Sequence, residues 1–299
     1  MSFSEGKTLR LIFPQWQGGN NAPYHLGAEL LAWLAPEHSG PTEHVPVEPP
    51  SAGAPLEELG IVGRRALLKQ LNSAQTLLSR HSADRLVILG GDCLVDLAPF
   101  AYLNERYQGD LAILWVDAHP DIMTPEQFNN AHAMVLGMLL GNGDPDFVQA
   151  VARPLKPQNI LYVGMHDPTD WEASEIDRLG LQNVSPAQIT QHGSSAVLDW
   201  FKSTGAKHLA IHLDLDVLDP RLFRSLLFAN PHAPEKSFEG VAQGQLSIEQ
   251  VLDVLRDVAK ITDVVGLGIT EHLPWDALAL KNMLARLPLI GDAGRSNPS

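Results

Sequence analysis

Apolar residues fall along this chain in two rhythms. Short continuous runs bounded by turn residues occur at 9–13, 85–89, 112–116, 160–163, 208–213 and 264–268, the pattern of strands covered on both faces. Between the runs the spacing lengthens. Across 56–80, Leu67, Leu68, Leu71, Leu77 and Leu78 recur at intervals of three, four and seven, which predicts an amphipathic helix over most of that stretch. Ser247-Ile248-Glu249-Gln250 has the form of a capping box opening a helix over 248–260. Ser185-Pro186-Ala187-Gln188 is a second, with proline at the first helical position. Strand and helix alternate throughout, which predicts an α/β protein whose parallel sheet is covered on both sides. The segments 36–55 and 228–244 read as long loops, and the tail after Gly291 as a frayed end.

A chain of 299 residues with 44% hydrophobic content can bury a large core. No break in composition divides it, so residues 1–299 are expected to form a single domain. The formal charge of −14 disfavours a nucleic-acid backbone or an anionic membrane as partner, since both repel acidic proteins. The one cysteine, Cys93, excludes an internal disulfide and fits a reducing compartment. Residues 1–10 hold no long apolar stretch, and no run approaches the roughly 18 residues that span a bilayer. A soluble, cytoplasmic protein without signal peptide or anchor is the expectation.

Two of the predicted strands end in acidic motifs. Asp117-Ala118-His119-Pro120-Asp121 follows one, and Asp214-Leu215-Asp216-Val217-Leu218-Asp219-Pro220 ends another. Charge at the end of a buried strand is costly unless paired or bound to metal, and the carboxyl ends of parallel strands are where open α/β sheets bind ligands. Alternation along an extended chain would put Asp117, His119 and Asp121 on one side, and Asp214 with Asp216. Together they hold enough carboxylate and imidazole for a pair of divalent cations, and mainly oxygen donors with some imidazole suit Mn²⁺. The competing reading makes the second group turn and capping residues, but leaves the matching cluster on the first strand unexplained.

Three further pieces can reach the same rim: Gly90-Gly91-Asp92-Cys93, Asn130-Ala131-His132 and Thr270-Glu271. From Gly90 to Glu271 the chain resembles the arginase and agmatinase family, the ureohydrolases. The resemblance implies a three-layer α/β/α sandwich with a mainly parallel sheet, and hydrolysis of a guanidino or amidino carbon by hydroxide bridging two Mn²⁺ ions. It implies metal ligands at Asp117, His119, Asp121, Asp214 and Asp216. It also implies a hydrogen bond from the hydroxide to Asp121, a proton shuttle at His132, and a guanidinium partner at Glu271. Asn130, Asp167 and Thr169 fall on the substrate side. Relatives form trimers or hexamers, so a homo-oligomer is implied.

The chain departs from that pattern at Cys93, where the family usually has a ligand histidine. A thiolate adds charge and softness, so it shifts preference toward Zn²⁺, Fe²⁺ or Co²⁺; the alternative is a small buried hydrophobe. His212, two residues before Asp214, is a remote candidate to replace the missing nitrogen, although it lies deeper along the strand. On the substrate side, arginases resemble 164–172 but carry an aspartate where Thr169 stands. They also have a polar residue where Met123 stands, and a thioether donates no hydrogen bond to a carboxylate. A shorter or less polar substrate than L-arginine fits at least as well, with Phe128 and Trp171 as wall residues. Two other functions compete: a relative degraded by Cys93 to one metal or none, and a single-zinc deacetylase of similar fold. The latter would leave Asp121 and Asp216 as unused buried charge.

Overall fold

A computed structural model describes residues 6–51 and 53–291; the expected fraying after Gly291 lies outside these residues. Among them the chain forms ten strands: β1 (Thr8–Phe13), β2 (Thr42–His44), β3 (Glu57–Glu58), β4 (Ile61–Val62), β5 (Arg85–Gly90), β6 (Leu111–Val116), β7 (Ile160–Val163), β8 (Gln182–Val184), β9 (His208–Asp214) and β10 (Asp263–Thr270). The α-helices are α1 (Pro23–Leu34), α2 (Arg64–His81), α3 (Leu97–Arg106), α4 (Val135–Leu139), α5 (Pro145–Val148), α6 (Asp170–Leu179), α7 (Pro186–His192), α8 (Ser195–Thr204), α9 (Ile248–Ala259) and α10 (Trp275–Leu284).

Eight strands form one sheet in the order β2-β1-β5-β10-β9-β6-β7-β8, and every pairing in it is parallel. The interior strand β6 shows why. All six side chains from Leu111 to Val116 are buried, with Leu111, Ile113 and Trp115 in the core on one face and Ala112, Leu114 and Val116 in the core on the other. Each Leu, Ile and Val side chain among them contributes about 1.5–3 kcal/mol by leaving water, so a strand of this composition is stable only between two layers. Helices α2 to α6 supply one layer and α7 to α9 the other. Both predicted capping boxes are present, at Ser185 and Ser247, and a third opens α6 at Thr169.

The chain builds β1 and β5, skips two places to β6, runs outward to β7 and β8, then returns to fill the gap with β9 and β10. That gap is the topological switch, where the crevice at the carboxyl ends of the strands receives ligands. The ends of β5, β10, β9 and β6 meet there, and they carry Cys93, Glu271, Asp214 and Asp117 respectively.

One loop expectation needs correction: the segment 36–55 contains β2. The helix expected over most of 56–80 is α2, which begins at Arg64 after a hairpin that opens the stretch. In that hairpin Leu59 and Gly60 both have positive φ (50° and 75°), and Glu57 pairs with Val62 around them. Such a two-residue turn normally announces itself as Asn-Gly or Asp-Gly, and here Leu-Gly gave no signal.

Candidate metal centre

Both acidic motifs leave their strands by the same turn. Asp117 Oδ1 accepts the His119 backbone N–H at 2.7 Å, and Asp214 Oδ1 accepts that of Asp216 at 2.7 Å. These side-chain turns correct the expectation from strand alternation: β6 ends at Val116 and β9 at Asp214, and turn geometry gathers the residues. Asp219 is a turn residue of the same kind, bound to the Arg221 backbone and guanidinium. Gly91 makes room for the next piece, since a Cβ there would lie 1.6 Å from the Gln15 carbonyl oxygen. Asp92 then accepts from the Gly19 and Leu94 N–H groups at 3.1 and 3.2 Å, which fixes the turn that buries Cys93.

Three groups of donor atoms result, each with its members within 4.8 Å of one another: Asp117, His119 and Asp216; Cys93, Asp117, His212 and Asp214; and Cys93, His132 and Glu271. Asp117 joins the first two. His119 Nε2 donates to the Ala242 carbonyl at 3.1 Å, which turns Nδ1 toward Asp216 Oδ2 at 3.1 Å and Asp117 Oδ1 at 3.5 Å. Asp121 belongs to none of the groups; it lines the adjoining pocket, and its buried Oδ2 has no hydrogen-bond partner.

The charges in this cluster do not balance within the protein. Among the described residues, no lysine or arginine lines the pocket. Burial, reinforced by neighbouring aspartates, pushes Asp121 and Asp214 well above the usual carboxylate range. Burial likewise raises the Cys93 thiol, and the charge of Asp214 adds to it. Burial opposes charge on Asp216 and His119 as well, but their attraction outweighs it, holding the carboxyl low and the imidazole high. Asp216 Oδ1 and His212 Nε2 join Asp121 Oδ2 as buried polar atoms without a partner among the described residues. A donor set this rich in oxygen and short of positive charge fits divalent cations.

Above it lies a cavity of about 320 Å³. Glu271 is 3% exposed and sits in the left-handed region at φ 64°, as do Asp121 at 51° and Asp167 at 45°. Backbone of that kind tends to cluster at functional sites. His132 Nδ1 stands 3.2 Å from Glu271 Oε1. Burial pushes Glu271 up and lowers His132 to about 4, with the His119 charge adding to the latter shift. The cavity walls are apolar: Met123, Phe128, Leu227, Phe228, Phe238 and Val241. Thr169 and Asp167 also line it, Thr169 with its hydroxyl bound to Glu172 at 2.8 Å and Asp167 beside His166 at 3.0 Å. Asn130 and Trp171 are not among its lining residues; Trp171 packs against the main core. Phe228, Phe238 and His166 were missed in the sequence because loop residues carry no periodic signal.

Fold and site together define a three-layer α/β/α protein with a carboxylate- and imidazole-rich centre at the carboxyl ends of its middle strands. A sequence model of the arginase family matches residues 46–231, and the chain belongs to that family. Arginase from Eremothecium gossypii is 24% identical over 91% of this chain and 71% of its own length. Arginase from Staphylococcus aureus (strain MRSA252) is 29% identical over 140 residues, which cover 45% of this chain and 46% of that protein; the chain thus spans about half the length of the Staphylococcus aureus relative it matches. Among solved structures, arginase from Bacillus caldovelox superposes with a TM-score of 0.76 at 17% identity, over 90% of this chain and 91% of that one. Formimidoylglutamase from Bacillus subtilis superposes with a TM-score of 0.65 at 14% identity, over 89% and 78%. At these identities the likeness is one of fold.

Proposed function

We propose that this protein hydrolyses the C–N bond of a guanidino or amidino compound with two divalent cations, releasing urea or a related product. The observation that carries the reading is the pair of donor groups sharing Asp117 at the floor of a cavity that also holds Glu271. His119, Asp117 and Asp216 would hold one cation; Cys93, Asp117 and Asp214 would hold the other, with Asp121 beside them. When bound, the cations supply the Lewis acidity that makes hydroxide available near neutral pH. Mn²⁺ is the family's habit, and the thiol at position 93 also admits Zn²⁺, Fe²⁺ or Co²⁺.

The chain's own groups do the rest. Asp121, with an unpartnered oxygen, accepts the hydrogen bond of the attacking water. Glu271 pairs with the planar cation and orients its carbon. His132, within hydrogen-bonding distance of Glu271, carries a proton to the leaving amine. The apolar walls exclude water and favour a substrate whose far end is apolar. An α-amino acid would meet Met123, Phe228 and Phe238 with its ammonium and carboxylate, and find Thr169 already engaged. Asp167 and the engaged Thr169 would offer a modest polar group little more than a carboxylate and a hydroxyl oxygen, and Asn130, which does not line the cavity, would act only indirectly.

Residues 1–299 act as one domain in this reading. The protein is cytoplasmic, in keeping with its lone buried cysteine, and among the described residues no helix is long and apolar enough to cross a membrane. Assembly into a trimer or hexamer belongs to the same proposal, and exposed Leu280, Met283 and Leu284 on α10 favour it. The test is urea or ammonia release from a panel of alkylguanidines and amidines against L-arginine after Mn²⁺ reconstitution. Turnover highest for apolar-tailed compounds is expected, and no release from any of them would end the reading.

A further inference from the structure

His212 is fully buried on β9, and its surroundings are built around it from three other segments. Its ring stacks on Trp115 of the paired strand β6, with centroids 3.8 Å apart and planes at 11°. Nδ1 lies 2.8 Å from Asp96 Oδ2. On the other side its register partner is Gly268 of β10, where a Cβ would lie 1.9 Å from that same aspartate oxygen. Only glycine at 268 lets Asp96 reach the ring. Asp96 is itself fully buried, and its other oxygen finds no partner, so this ring is the group it serves.

The outcome of this arrangement is a free nitrogen. With Nδ1–H donating to the Asp96 carboxylate, Nε2 is the acceptor nitrogen, and it has no hydrogen-bond partner among the described residues. It points at the metal-binding cluster, 3.7 Å from Asp117 Oδ2, with Cys93 and Asp214 completing a group whose donor atoms are mutually within 4.8 Å. A histidine serving only as core filling would have both nitrogens satisfied, because a buried polar atom without a partner is costly. A carboxylate holding one imidazole nitrogen while the other faces oxygen and sulfur donors is the arrangement that orients metal-bound histidines.

We infer that His212 supplies the imidazole nitrogen of the cation site it shares with Cys93, Asp117 and Asp214, with Asp96 as its positioning residue. Sulfur at position 93 is then complemented by nitrogen from the neighbouring strand, and the set of one S, one N and two O donors suits Zn²⁺ or Co²⁺ as well as Mn²⁺. The inference rests on the two-cation reading above, and the experiment separates the two.

The protein is loaded with Co²⁺, its cobalt content is measured, and its hyperfine-shifted, solvent-exchangeable imidazole N–H resonances are counted by proton NMR. Each cobalt-bound histidine gives one such signal, from the nitrogen that does not bind. Two are expected, from His119 Nε2–H and His212 Nδ1–H; His132→Asn keeps both, and His212→Gln removes one. Asp96→Asn keeps the ligand but weakens cobalt at one of the two sites by roughly 10–100-fold, the usual effect of losing such a partner. Two cobalt ions per chain with a single N–H signal in the unaltered protein would overturn the role of His212 and leave the two-cation reading standing. A protein that binds no cobalt would overturn both. The count on unaltered protein decides the matter even if His212→Gln does not fold.

Discussion

Glu271→Gln separates substrate binding from metal binding more sharply than any other single change. The side chain is 3% exposed, and its backbone N–H donates to the Gly91 carbonyl at 2.8 Å, a contact the amide variant keeps. Glutamine has the same shape, so fold and cavity persist, and only the charge is lost. At about 3 Å and an effective dielectric constant of about 20, a carboxylate attracts a guanidinium by roughly 5 kcal/mol. Truncating one partner of such a buried pair costs about 2–5 kcal/mol in practice. The expected loss in kcat/KM is therefore about 30- to 5,000-fold, with metal content unchanged. The assay is steady-state product release on wild type and variant at equal metal loading, with elemental analysis alongside. Unchanged kcat/KM would remove Glu271 from substrate recognition. Loss of metal together with activity would instead make it a ligand through its group with Cys93 and His132.

Other consequences follow from the same geometry. Asp117 belongs to both donor groups, so Asp117→Ala is expected to empty the centre, whereas Asp216→Ala removes one cation; equal metal counts in the two variants would contradict the sharing. The chelated protein should lose stability as pH rises. Asp121 and Asp214 have raised pKa values when folded, so the folded chain binds more protons than the unfolded one, and ionising them opposes folding. Added cation should accordingly raise Tm more at pH 8 than at pH 5, and a pH-independent shift would refute this. Away from the site, Arg64 pairs with the nearly buried Asp144 at 2.9 Å, and Arg64→Met should cost about 3–5 kcal/mol in urea denaturation. Burial opposes charge on Asp144, but Arg64 holds it below its ordinary range. That stabilisation is present above the unfolded pKa of about 4 and lost as pH falls through the folded value. The wild-type and variant stabilities should therefore converge in acid.

What the sequence disclosed follows from where the physics is local. The six inner strands were legible because burial on both faces forces continuous apolar runs such as Leu111–Val116. The edge strands β2 and β8, three residues each and largely polar, carry no such run. Capping boxes at Ser185 and Ser247 were legible because a cap needs only four consecutive residues. The aspartates proposed as metal ligands stood out because charge at a buried strand end demands a reason, yet their convergence through side-chain turns was hidden. The surroundings of His212 were beyond reach: Asp96, Trp115 and Gly268 come from three separate segments, and their meeting is a property of the sheet order. Depth along the strand counted against His212 in the sequence, but the ring spans the distance that depth implied.

The most direct test of the whole account is the number of metal ions per chain, measured by elemental analysis after purification without chelator and reconstitution with Mn²⁺. About two per chain, falling to about one in Asp216→Ala, is the predicted result. One ion or none in the unaltered protein would contradict the two-cation centre and leave Cys93 as the residue that dismantled it.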